Sequence, residues 1–282
     1  MKIIVTGGCG FIGKHFISSC GAHEVINYDN LTYAADTSIE HVKADICRLK
    51  NLPRHDLLIN FAAESHVERS IRHSRAFVDT NINGVRNLMD LRPRRFIHVS
   101  TDEVYGSGGP FHESSPLNPQ NPYAATKAAA DLLIQAYANT YKLDRWYEGV
   151  DGMDYNIIRP TNNYGPGQFP EKLIPRSIDR IKKGLKAQVH GSGAYKRMWL
   201  HVADTVNAIW TVITNGKKGE IYNVAGEEHA NIEIVEELCR IHGGAYEYTE
   251  NRPGQDVRYL VRDEKLKSLG WAPQQPFDLQ CV

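Results

Sequence analysis

Lys2-Ile3-Ile4-Val5-Thr6-Gly7-Gly8-Cys9-Gly10-Phe11-Ile12-Gly13 is the stretch on which the fold turns. A short apolar run ends in a glycine cluster, and a helix-compatible segment from about Phe11 to Ser19 follows at once. Strand, glycine turn and helix in that order open a dinucleotide-binding βαβ unit. Gly7 suits the tight turn, Gly10 lets the backbone approach a pyrophosphate, and Gly13 lets the helix pack closely on the strand. The helix N-terminus then offers free amides and its positive dipole end to phosphates. The spacing is G-x-x-G-x-x-G, not the commoner G-x-G-x-x-G, so the cluster alone would also suit an ordinary glycine turn. Asp29 supports the binding reading. It closes a second strand, Val25 to Tyr28, about 20 residues past the glycines, where a carboxylate accepts hydrogen bonds from an adenosine ribose. A carboxylate there repels a 2′-phosphate and no Arg follows it, so NAD is expected over NADP.

Outward from this start, short apolar runs alternate with helical stretches: Leu57 to Phe61, Phe96 to Ser100 and Asn156 to Ile158 read as further strands. Nearly all-apolar strands separated by helices predict a doubly wound α/β parallel sheet covered on both faces. A proline-rich connection (Pro110, Pro116, Pro119, Pro122) leads into an alanine-rich helix from about Tyr123 to Tyr141. From about Thr161 the texture shifts to Gly, Pro, Lys, Arg and Asn. We therefore expect a dinucleotide-binding domain over 1–160 and a smaller, mainly substrate-binding domain over 161–282. A segment near 200–225, including the strand-like Glu220 to Val224, is expected to return to the main sheet. The 282 residues carry 33 Lys+Arg against 33 Asp+Glu, with 41% apolar residues. That balance argues against a nucleic-acid coat or a membrane-surface binder, and no run approaches the roughly 18 apolar residues of a membrane span. Five cysteines without a CxxC pair predict a reducing cytoplasm, no disulfide framework and no metal site. His66, His73, His98 and His112 show no ligand spacing and read as polar or packing residues.

Tyr123 and Lys127 lie four apart on one helix face. A free tyrosine, with a pKa of about 10, is a poor base. A neighbouring ammonium and an oxidised nicotinamide both favour the phenolate, and such a pair can remove a hydroxyl proton while hydride leaves the carbon. Y-x-x-x-K is a common accident. It gains weight from Thr101, which follows the fourth strand and can hydrogen-bond the same hydroxyl.

Four strings then matter together: Asn60-Phe61-Ala62-Ala63-Glu64-Ser65-His66-Val67, Ser100-Thr101-Asp102-Glu103-Val104-Tyr105-Gly106, Asn121-Pro122-Tyr123-Ala124-Ala125-Thr126-Lys127 and Arg159-Pro160-Thr161-Asn162-Asn163-Tyr164-Gly165-Pro166. With Gln168 to Pro175 they make the chain resemble the extended short-chain dehydrogenase/reductase family, closest to its nucleotide-hexose 4,6-dehydratases, from Met1 to about Gly270. The resemblance implies a homodimer and NAD-dependent loss of water from dTDP-glucose. Hydride leaves C4, a base takes the C5 proton, an acid protonates the C6 hydroxyl, and hydride returns to C6. Two carboxyls in opposite protonation states suit the elimination. By resemblance Glu103 is the C5 base and Asp102 the acid. Adjacent residues of a regular strand point to opposite faces, so the two share a site only if the strand has already turned, as Gly106 and Gly108 allow. The resemblance also implies cofactor contacts at Phe11, Ile12, Asp45, Ile46, Ala62, Ala63, Thr80, Lys127 and Asn163. It implies substrate contacts at Ser65, Thr101, Asn162, Lys172, Leu173, Arg197 and Asn231, with Arg197 as the diphosphate clamp and Arg252 in a similar role. The same chemistry on UDP-glucose or another NDP-hexose, or a lapsed NAD-binding scaffold, are the alternatives.

The chain departs from the family pattern in three places. Where relatives read Pro-(Ile/Val)-Tyr beside the base, it has Gln188-Val189-His190; and where they read Arg-Pro-Gly-His it has Arg252-Pro253-Gly254-Gln255. Asp144 to Asp154 looks inserted and reads as a surface loop. The end, Gly270 to Val282, is short, so that region is either packed by other means or marginal.

Overall fold

Seven parallel strands form the central sheet of the computed structural model, which describes residues 1–141, 145–147, 150–251 and 256–282. Across the sheet they run Glu220–Val224, Asp154–Pro160, Arg95–Val99, Leu57–Asn60, Lys2–Thr6, Glu24–Asp29 and Val42–Lys43. The first strand pairs with Glu24–Asp29 on one side and Leu57–Asn60 on the other, so the winding reverses there. Ligands of open α/β sheets bind in the crevice at that reversal, beyond the carboxyl ends of the strands.

Alternation along each strand builds both faces. Ile3, Val5, Leu57, Ile59, Ile97 and Ile158 pack with Phe16 of the Phe11–Ser19 helix and with Val206, Ile209 and Val212 of the Val202–Asn215 helix. Ile4, Leu58, Phe96 and Ile157 face the other way, onto Val85, Leu88, Met89, Ala130 and Ile134. The exposed two-residue strand Val42–Lys43 has no sequence signature and was not foreseen.

The stretch 75–91 is not one regular helix. Arg75–Phe77 and Val85–Asp90 are α-helical, and Val78–Gly84 between them is a π-helix. Its wider turn carries Asn81 inward, where the side chain bonds both Glu64 N and O and Thr126 Oγ1. Such insertions recur at functional sites.

The 161–282 region adds its own core of Tyr164, Ile174, Ile178, Val189, Trp199, Ile234 and Leu238. Strand Ala187–His190 pairs with Tyr246–Thr249, and Lys196–His201 pairs with Asn162–Tyr164 and Glu227–Ala230. The chain end is packed: Trp271 and Leu279 are buried, Phe277 stacks on His229, and the Asp204 carboxylate accepts from Gln274 N and Gln275 N. Within Asp144 to Asp154, expected as a loop, Arg145–Tyr147 and Val150–Asp151 form a short antiparallel pair and Asp154 opens the sheet strand; Asp144, Glu148 and Gly149 lie outside the described residues.

Candidate active site

The glycine turn is as tight as its residues allow. Gly7 sits at φ +76°, and a Cβ there would lie 2.4 Å from Ala62 N; one on Gly13 would lie 2.6 Å from Gly7 O. Asp29 is fixed by the same turn. Cys9 N donates to one carboxylate oxygen at 2.9 Å and Leu31 N to the other at 2.8 Å. Asp29 lines a cavity of about 720 Å³, within the usual range for a small-molecule site.

The cavity gathers the expected residues from distant parts of the chain. Gly7, Gly10, Phe11, Ile12, Gly13, Asp29, Asp45, Ile46, Ala62, Ala63, Thr80 and Asn163 line it, as do Ser65, Asn162, Lys172, Leu173, Gln188, His190, Arg197 and Asn231. Thr101, Glu103, Tyr123 and Lys127 complete the wall. Asp102 does not line it; this side chain is 1% exposed, directly beneath the surface formed by its neighbours. Arg252 lies outside the described residues. Ser100 Oγ, Thr161 Oγ1, Asn163 Oδ1 and Gln168 Oε1 belong to residues of the wall, and each is buried without a hydrogen-bond partner. Buried polar atoms normally find partners, so this wall fits a polar ligand rich in hydroxyls and phosphates.

The strand ends at Val99, and the turn that follows puts Glu103 on the cavity wall with Asp102 buried beside it. Thr101 Oγ1 accepts from Glu103 N at 3.3 Å and caps the one-turn 3-10 helix Asp102–Tyr105. Gly106 closes that turn at φ +79°, where a Cβ would lie 2.2 Å from Asn118 O. Strand alternation no longer applies, and the two carboxyls meet different surroundings. Asp102 takes one contact, from Thr101 Oγ1 to Oδ1 at 3.3 Å, while its buried Oδ2 has no partner. Burial, then the charge of Glu103, push its pKa up to about 7, against the pull of Arg197. Burial also raises Glu103, but Asn121, Arg197 and Lys172 stabilise its carboxylate. Asn121 is the N-cap of the Pro122–Thr140 helix: its Oδ1 accepts from Ala124 N at 2.8 Å, which turns Nδ2 onto Glu103 Oε2 at 3.0 Å. Sequence reasoning missed this residue, although Asn directly before Pro is a helix-start signal.

Tyr123 is anchored by its backbone N–H to Ser70 Oγ. Burial and the charge of Glu103 raise its phenol, while a hydrogen bond with Thr101 lowers it. Lys127 Nζ is committed to Val99 O at 2.8 Å and His98 Nε2 at 3.0 Å, and burial pushes it down to about 8. Arg197 is no solvated surface charge. It is buried, donates to Asp256 O at 2.9 Å and sits 4.6 Å from the centre of the Tyr259 ring. Asp256 and Tyr259, which hydrogen-bond each other, line the cavity and were also missed. In the altered base segment, Gln188 Oε1 accepts from Arg176 Nη2 at 2.9 Å, and His190 Nδ1 lies 3.1 Å from Glu250 O.

Residues 3–225 match the family described as NAD dependent epimerase/dehydratase. The low-salt glycan biosynthesis protein Agl12 of Haloferax volcanii is 40% identical, the alignment covering 99% of this chain and 95% of that protein. A dTDP-glucose 4,6-dehydratase of Streptomyces niveus is 37% identical over 98% of this chain and 89% of that one. Among solved structures, DesIV, the dTDP-glucose 4,6-dehydratase of Streptomyces venezuelae with NAD bound, superposes with a TM-score of 0.90 at 38% identity, covering 98% and 93% of the two chains.

Proposed function

Because the chain belongs to the NAD-dependent epimerase/dehydratase family, we propose that it converts dTDP-glucose to dTDP-4-dehydro-6-deoxyglucose with NAD as cofactor. What carries the reading is the Asp102–Glu103 pair: Asp102 is buried, unpartnered at Oδ2 and pushed up to about 7, while Glu103, also raised by burial, has its carboxylate stabilised by Asn121. Two neighbouring carboxyls in different surroundings can divide acid and base roles. A 4-epimerase or a decarboxylase acting on the same sugar has no use for both.

The glycine turn and the Phe11–Ser19 helix would hold the pyrophosphate, Asp29 the adenosine ribose, and Thr80, Asn163 and Lys127 further parts of the cofactor. NAD, when bound, supplies the hydride acceptor for C4 and the hydride donor for C6. Tyr123 Oη takes the 4-hydroxyl proton, with Thr101 Oγ1 as its hydrogen-bond partner. Glu103 takes the C5 proton, which the 4-ketone has acidified. Asp102 gives its proton to the departing C6 oxygen, and one water leaves. Arg197, buried and already oriented by Asp256 O, meets the diphosphate bidentately.

Base identity rests on Gln188 and His190. With Oε1 tied to Arg176, Gln188 offers its Nε2 donors to a base carbonyl. Thymine and uracil both present one, which is why UDP-glucose is kept as the second reading. The test is mass spectrometry after incubation with NAD and either sugar nucleotide. Loss of one water from dTDP-glucose alone supports the proposal. Loss from UDP-glucose reassigns the base, and loss from neither refutes both.

The homodimer we propose pairs the 75–90 and 122–140 helices of two subunits. Val78 and Leu132, 40% and 56% exposed, supply apolar surface there. A solution mass of one chain would rule it out. No helix among the described residues is long and apolar enough to cross a membrane. The five unpaired cysteines suit the reducing cytoplasm we assign.

A further inference from the structure

Gln188 stands where relatives carry a proline, and unlike proline it brings a polar side chain to the cavity wall. Its amide has a carbonyl that accepts and an NH2 that donates, and which of them a ligand meets depends on what holds the other. Arg176 decides this. It is half-buried in the first turn of the Leu173–Lys182 helix, which starts at the cavity wall with Lys172 and Leu173. Its Nη2 donates to Gln188 Oε1 at 2.9 Å. A guanidinium has donors and no acceptor, and it keeps its charge in proteins. Turning the amide over would set NH2 against N–H, so Oε1 stays on Arg176 and Nε2 is left for the ligand. The carboxylate placed to compete for Nε2 is that of Glu247, the register partner of Gln188 on the Tyr246–Thr249 strand. Arg180, one turn on from Arg176 along the same helix face, donates to Glu247 Oε1 at 3.4 Å.

We infer that Arg176 is a positioning residue for base selection: through Gln188 it presents a fixed donor to the outer edge of the base, which admits a keto group there and turns away an amino group. The inference rests on the reading of this cavity as a nucleotide-sugar site. The outer edge of a pyrimidine, away from the ribose, carries O4 in thymine and uracil and an amino group in cytosine; O2 is common to all three. Against Gln188 Nε2, O4 accepts. The cytosine amino group sets donor against donor and leaves both unpaired, and a desolvated polar group without a partner costs more than an ordinary hydrogen bond returns. The device therefore separates keto from amino bases. It does not separate thymine from uracil, which differ only by a methyl group.

The test is calorimetric titration of the full-length protein, NAD bound, with UDP against CDP and with dTDP against 5-methyl-dCDP. Within each pair the sugar and diphosphate are the same and only N3 and C4 of the base differ. The wild type should bind the keto member of each pair at least about tenfold more tightly. Arg176→Leu frees the amide to turn its Oε1 toward an amino group, so the preference should fall to about threefold or less. Arg176→Lys still offers only donors to Oε1 and should keep most of the preference. Gln188→Glu has no donor left and should reverse the preference toward the amino base. Equal binding within each pair by the wild type, or an unchanged preference in folded Arg176→Leu, overturns the inference. So does a loss of affinity in the same proportion for both members of a pair, the mark of a purely structural role. If Arg176→Leu does not fold, the wild-type preference and its reversal in Gln188→Glu still decide. A wild type that binds none of the four nucleotides refutes the nucleotide-sugar reading and the inference with it. A wild type that removes water from dTDP-glucose but treats the members of each pair alike leaves the proposed function standing and removes only the inference.

Discussion

Asp102→Asn isolates the energetic consequence of keeping an acid protonated inside this site. The carboxyl rises from 3.8 to about 7 on folding. Each unit is worth about 1.4 kcal/mol, so ionising Asp102 in the folded protein costs about 4 kcal/mol relative to the unfolded chain. The sign follows from proton counting. Between about pH 4 and 7 the folded state binds more protons at Asp102 than the unfolded state, so this residue lowers stability as pH rises, and its effect levels off above about 7. Asparagine cannot ionise. Its stability relative to wild type should therefore improve by about 3 kcal/mol from about pH 5 to about pH 8. Any fixed difference in packing or hydrogen bonding between the two side chains cancels in that comparison. Urea unfolding followed by tryptophan fluorescence, run on both proteins at both pH values, measures it. In the same proteins, water loss should be abolished by the substitution, and wild-type water loss should decline as pH passes about 7. A stability difference that does not change between the two pH values would show that Asp102 is already ionised in the folded protein, and it would remove the basis for its role as the acid.

Glu103→Gln keeps the contact with Asn121 but cannot take a proton: solvent deuterium at C5 and water loss should both disappear while NAD binding persists, and full activity would show that another group is the base. Tyr123→Phe should block the first oxidation, so rapid mixing with dTDP-glucose should show no NADH absorbance; a transient NADH signal would exclude Tyr123 as the O4 base. Asp131→Asn leaves Arg159, 1% exposed, without its carboxylate partner. Breaking a buried pair this way costs about 3–5 kcal/mol, seen as a lower urea midpoint, and an unchanged midpoint would mean that Tyr105, whose Oη accepts from Arg159 Nη1 at 2.7 Å, alone satisfies the guanidinium.

What the sequence made legible was chemistry carried by residue type at short range. Gly7 at φ +76° and the close approach of Gly13 to Gly7 O require glycine whatever surrounds them, and Asp29 needs only its place at a strand end. Uninterrupted apolar runs such as Ile3-Ile4-Val5 and Leu57-Leu58-Ile59 were enough to predict a sheet covered on both sides. The π-helical turn at Val78–Gly84 left no trace, because one wider turn barely alters the spacing of apolar residues. Asn121 was readable as a helix cap. Its bond to Glu103, 18 residues away, depends on how the strand end meets the long helix. Asp256 and Tyr259 reach the cavity only because Gly108–Phe111 pairs with Tyr259–Val261. His98 is the sharpest case. Alone it is a core histidine, the reading its spacing supported. In the fold its Nδ1 lies 3.1 Å from Asn60 Nδ2 and its Nε2 3.0 Å from Lys127 Nζ, contacts with residues 38 positions before it and 29 after it. Local sequence thus names the groups that do chemistry. Their protonation depends on the assembled fold: Asp102 and Lys127, both pushed toward neutral pH, are shifted first of all by burial, which only the packed strands and helices supply.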